Sequence, residues 1–148
     1  MEENFEKYLE SIGFSKTLIN RTESIMGYIE NIFPEEKIND IFVEDYLTET
    51  GREYDSIYFL TEKNLMIDCK NFRNENSLLT LPISQHVETF KMRFNDYDIK
   101  NEKYSEKSQF VIEFRTDTRV FGEIKSSGNN CNHLKNLLTN YLIPNMIE

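Results

Sequence analysis

Tryptophan is absent from this 148-residue chain, and glycine, proline, cysteine and histidine are scarce, at five, three, two and two. Each scarcity excludes something. The five glycines form no phosphate-cradling loop, so no nucleotide-binding fingerprint is present. His86 and His133 have no nucleophile close by in sequence, which leaves a catalytic triad unsupported and both imidazoles structural. Cys69 and Cys131 share neither a CxxC spacing nor a histidine cluster, so both read as free thiols, and no metal, disulfide or cofactor is expected. No apolar run approaches the roughly 18–20 residues that cross a bilayer. The first ten residues, MEENFEKYLE, are acidic and have no signal-peptide core, so the expected location is the cytoplasm.

What is present is a well-supplied apolar set and a lopsided charge. Eleven Phe and eight Tyr within a 39% hydrophobic composition are enough for a real core in about one domain's length. Of the net charge of −9, residues 1–50 carry nearly all, with 12 acidic against 4 basic side chains, whereas residues 51–148 have 14 against 13. A negative field repels phosphates and anionic lipid, so neither nucleic acid nor membrane is an expected partner.

Apolar spacing divides the chain in two. Phe5, Tyr8, Leu9 and Ile12 mark one face of a helix over 4–12 that Gly13 ends. Ser15 is placed to cap a second helix, with a stripe of Leu18, Thr22, Ile25, Ile29 and Ile32 widened by Met26, before Pro34 forbids continuation. Residues 1–36 are therefore expected to form a helical hairpin. From residue 37 the period changes, and seven strands are expected at 40–48, 54–61, 65–72, 77–83, 88–94, 109–116 and 119–126. Residues 84–97 fit both periods, since Val87, Phe90, Phe94 and Tyr97 share a helical face while Phe90, Met92 and Phe94 alternate with Lys91, Arg93 and Asn95. Leu134, Leu137, Leu138, Tyr141 and Leu142 then mark a last helix, with Pro144 as its stop.

An α+β order of seven antiparallel strands closed by an amphipathic helix resembles the pleckstrin-homology (PH) superfold. The stretches FLTEKNLMI (59–67) and LPISQHVETF (81–90) are similar to segments of bacterial PH-like domains. The resemblance covers about 38–143 and implies a bent seven-stranded sheet or partial barrel in residues 37–148, one end closed by the helix, with the hairpin preceding it. Lipid-binding relatives carry a basic cluster at the first hairpin loop. Here that loop holds Arg52 between Glu49 and Glu53, so recognition of protein is the expected use. The candidate partner-binding residues are Glu49, Arg52 and Glu53 on this rim, Arg73 in the loop over 71–76, and Phe121 as an outward apolar contact. The second candidate surface is the acidic face of the hairpin, Glu2, Glu3, Glu6, Glu10, Glu23 and Glu30, which also reads as an ordinary solvated face.

Two alternatives use other residues. Asp55, Asp68 and Lys70, with Glu23 or Glu30, resemble the acid and acid-x-lysine pattern of restriction-endonuclease-like nucleases, in which carboxylates hold Mg²⁺ and the lysine positions water. Against it, an acid-x-lysine triplet is short, the chain lacks a basic surface, and strands follow where that fold turns to a helix. The simpler expectation is that Asp68 and Lys70 face solvent while Leu65, Ile67 and Cys69 point inward. The third possibility is an acidic mimic of nucleic acid that inhibits a basic protein.

Overall fold

A computed structural model describes residues 1–35, 37–62, 65–70, 72, 77–82, 89–115 and 120–146. It is α+β, as the sequence predicts. Helix α1 (Glu3–Ser11) buries Phe5 and Leu9. Its end is a Schellman reversal: Gly13 takes φ 91° and donates to the Glu10 carbonyl at 3.0 Å, and the Phe14 N–H reaches the Leu9 carbonyl at 3.0 Å. Ser15 caps α2 (Lys16–Ile32) as expected, its hydroxyl accepting the Leu18 N–H at 3.2 Å. The buried stripe of α2 is Ile19, Thr22, Ile25, Met26 and Ile29. Ile32, assigned to it from spacing, is exposed, because it lies in the last turn, where Phe33 ends the helix.

All seven expected strands form: β1 (Ile38–Thr48), β2 (Gly51–Thr61), β3 (Leu65–Lys70), β4 (Ser77–Pro82), β5 (Thr89–Phe94), β8 (Gln109–Arg115) and β9 (Val120–Ser127). Two further strands of two residues, β6 (Tyr97–Asp98) and β7 (Lys103–Tyr104), make a small separate hairpin. The larger sheets have the orders β1-β2-β3-β4 and β5-β8-β9. The ambiguous stretch is thus strand over 89–94, because Phe90, Met92 and Phe94 find cross-strand partners in Phe114, Ile112 and Phe110; residues 83–88 lie outside the described residues.

The described chain falls into two compact units, one of 1–43 with 55–82 and one of 44–54 with 83–148. In the first, the Tyr8 hydroxyl accepts the Val43 N–H at 3.0 Å, and Phe72 stacks on Phe14 at 5.7 Å while its carbonyl accepts Arg21 Nε at 3.0 Å. In the second, α3 (Asn130–Leu137) packs on β7, β8 and β9, burying Cys131, Leu134 and Leu137. Pro144 does not stop the terminal helix as spacing implied. The chain widens into a π-helical turn over Leu138–Leu142 and resumes as α4 (Ile143–Met146), which places the proline in a first turn that needs no N–H from it.

Candidate functional site

Asp68 and Lys70, the acid-x-lysine pair, lie on β3. Tyr58 pairs with Asp68 and Ile57 with Cys69, so alternation puts Asp68 on the Tyr58 face of the sheet and Asp55 on the opposite, Ile57 face. The two carboxylates therefore do not converge through the sheet. Asp68 is 3% exposed, which corrects the expectation that it faces solvent. The physical reason is that β3 is covered on both faces: Met66 and Asp68 are buried on one, Ile67 and Cys69 on the other. Lys70 is exposed, its Nζ 3.9 Å from Asp68 Oδ2. Burial raises the Asp68 carboxyl above the usual range; the Ser56 hydroxyl and Lys70 work against the rise, and Asp55 adds to it. Among the described residues, Asp68 Oδ1 has no hydrogen-bond partner, and no group of three or more His, Cys, Asp or Glu is placed to hold a metal ion. Glu23 and Glu30 are exposed, and Glu23 pairs with the N-terminal amine at 3.2 Å. Burial also pushes the Cys69 and Cys131 thiols up to about 11, so both stay protonated and unreactive near neutral pH.

Arg52, expected on a binding rim, is held inward. Its Nε lies 3.0 Å from Asp45 Oδ2, and its Nη2 donates to Asn129 Oδ1 at 2.8 Å. Asp45 is fully buried and saturated, with Oδ1 accepting the Ser127 N–H at 2.9 Å and Asn130 Nδ2 at 2.7 Å, and Oδ2 accepting the Ser127 hydroxyl at 2.5 Å. Burial raises its carboxyl, and the Asn130 and Ser127 donors and Arg52 pull it back. These contacts fix the β9–α3 corner, where Gly128 sits at φ 55° with the place of a Cβ only 2.9 Å from Arg52 Nη2. Glu49 is exposed at the β1–β2 turn and Glu53 is half-buried. Phe121 falls at a bulge, since the pairs Phe114 with Gly122 and Arg115 with Val120 leave it no opposite residue; its side chain, and Arg73 entirely, lie outside the described residues.

The three-stranded sheet has two edges, and the structure treats them differently. On β9, Lys125 and Ser127 are alternate residues whose N–H groups point the same way. The Lys125 N–H is taken by Glu44 Oε2 at 3.0 Å and the Ser127 N–H by Asp45. Buried carboxylates thus stand where another strand would pair. On β5 the Asn95 N–H bonds the Gln109 carbonyl at 3.1 Å, which sets the phase of the ladder. Arg93 and Lys91 turn their backbone groups toward β8, and Phe90, Met92 and Phe94 turn theirs outward. Among the described residues nothing pairs with this side of β5.

The side chains on this edge are equally uneven. Phe110, Ile112 and Phe114 of β8 are buried, yet their neighbours on the same face, Met92 and Phe94, are 49% and 63% exposed, and Ile99 in the next turn is 80% exposed. Phe90 stays half-covered against Phe114, at 5.1 Å between ring centres. The apolar face therefore runs past the core to an open strand edge. The alternation of 90–94 is legible in the sequence and its exposure is not; the one signal of it there is Lys91 and Arg93, charges of the kind that edge strands carry. No protein-family model, no curated protein and no solved structure matches the chain.

Proposed function

We propose that the chain is a non-enzymatic interaction module, and that an extended segment of a partner protein adds as a strand to the open edge of β5. One observation carries this: outward backbone groups of Phe90, Met92 and Phe94 coincide with exposed apolar side chains of the same residues' face. Strand addition uses both features, main-chain bonds for affinity and alternate side chains for fit. A monomer that left the edge idle would cover or charge that face instead. The order of a four-stranded and then a three-stranded sheet, followed by α3, supports a PH-like scaffold for this role.

The test is to select peptides from a random library against the purified chain and to titrate the best of them into wild type and Phe94→Ser. Removing the side chain gives up burial of about 1.5–3 kcal/mol, so binding weakens roughly tenfold or more. Unchanged affinity in a folded variant sinks the proposal. Asp68 Oδ1, which has no hydrogen-bond partner among the described residues, and the nearby Lys70 favour the nuclease alternative in one respect, since that chemistry uses an aspartate and a lysine together. We expect no Mg²⁺- or Mn²⁺-dependent cleavage of DNA or RNA above background; cleavage lost in both Asp68→Ala and Lys70→Ala would establish that alternative.

A further inference from the structure

We infer that the segment accepted by β5 alternates apolar with acidic residues, and that a second copy of this chain is not its occupant. This rests on the strand-addition reading above and adds the chemistry of the partner. On the face opposite Phe90, Met92 and Phe94, β5 presents Lys91 and Arg93, both exposed. Arg93 lies within ion-pair distance of Glu113 at 3.7 Å and Glu123 at 3.5 Å, both on its own sheet. Lys91 is in register with Glu113, and among the described residues it has no ion-pair partner. A strand laid along β5 places its side chains in alternation, one set over Met92 and Phe94 and the other beside the two cations. Carboxylates in the second set complete both faces at once.

The same geometry disfavours self-pairing. In a continuous antiparallel sheet, opposite residues share a face. Two copies of β5 related by a two-fold axis therefore set Lys91 against Arg93, or one of these cations against its own copy, in every register that overlaps well, and like charges directly opposite are destabilising. Charge on an edge strand also serves simply to keep other strands away. An edge protected only in that way has no use for exposed Met92 and Phe94 on the other face, and their presence separates a selective edge from a blocked one.

The experiment uses three peptides of equal length, alternating valine with glutamate, with threonine or with lysine, titrated into the full chain by fluorescence anisotropy. The glutamate peptide is expected to bind about tenfold more tightly than the lysine peptide, with threonine between, and the combined Lys91→Glu and Arg93→Glu variant to reverse that order. Equal affinities for the three, or no binding by any, overturn the inference. Phe94→Ser separates it from the reading beneath: weakening of all three alike with no charge order leaves strand addition standing and removes the acidic preference, whereas glutamate-peptide binding untouched by Phe94→Ser removes both. Sedimentation is expected to show a monomer at tens of micromolar, and a dimer abolished by Phe94→Ser would also overturn the inference.

Discussion

The two edges of one three-stranded sheet are finished in opposite ways. At β9, Glu44 and Asp45 hold the outward N–H groups of Lys125 and Ser127, and Asp45 also binds Asn130 and Arg52, so the edge is part of the folded framework. At β5, the outward groups of Phe90, Met92 and Phe94 have no partner strand among the described residues, and Phe94 is 63% exposed. A sheet edge is a template for pairing with other chains, and proteins block the edges they do not use. One edge is sealed with two buried carboxylates while its counterpart carries exposed apolar groups, so residues at the two edges are expected to respond differently to substitution.

Asp45→Ala is expected to do most damage. It leaves the Ser127 amide and hydroxyl, Asn130 Nδ2 and Arg52 Nε without their acceptor, and removing one member of a buried charged network costs about 3–5 kcal/mol. Chemical denaturation measures this, and a loss below about 1 kcal/mol would show that the sealed edge is not structural. Glu44→Ala, which removes the carboxylate that accepts the Lys125 N–H, is expected to cost about 1–3 kcal/mol in the same assay. Phe94→Ser and Met92→Ser, at the open edge, are expected to change stability by less than about 0.5 kcal/mol while weakening peptide binding. A large stability loss there would mean that these side chains belong to the core.

The buried aspartates sharpen the contrast further. Asp45 is saturated with donors, whereas Asp68 Oδ1 has none among the described residues. Burial raises the Asp68 carboxyl, so its contribution to stability is fully present below the unfolded value of about 3.9 and is lost as pH rises through the higher folded value. Asp68→Asn removes that dependence. Between pH 4 and 7 the stability of the variant is expected to fall less than that of wild type, by a small margin; parallel curves would show that Asp68 ionises without a penalty.

Much of the fold is legible in the sequence because local signals suffice for it. Ser15 and Gly13 mark helix limits through their own backbone chemistry, and seven strands follow from alternation and β-branched or aromatic content. The two-residue strands β6 and β7 are too short to carry a period. What the sequence does not show is which faces and edges are covered. Asp68 looks like the polar half of an alternating strand, and only the covering of both faces of β3 makes it buried. Arg52 looks like a loop charge available to a partner, and its engagement depends on Asp45 and Asn129, seven residues before it and 77 residues after it. Likewise the phase of 90–94 is readable, but not that, among the described residues, only its β8 side is paired.

The most direct measurement is residue-resolved amide hydrogen exchange on β5, with and without the tightest peptide from the library selection. The amides of Phe90, Met92 and Phe94 are expected to exchange readily in the free chain and to become protected in the complex, while those of Lys91 and Arg93, already bonded to β8, change little. A saturated complex in which Phe90, Met92 and Phe94 remain unprotected, with protection appearing instead around residues 48–53, would contradict strand addition at β5.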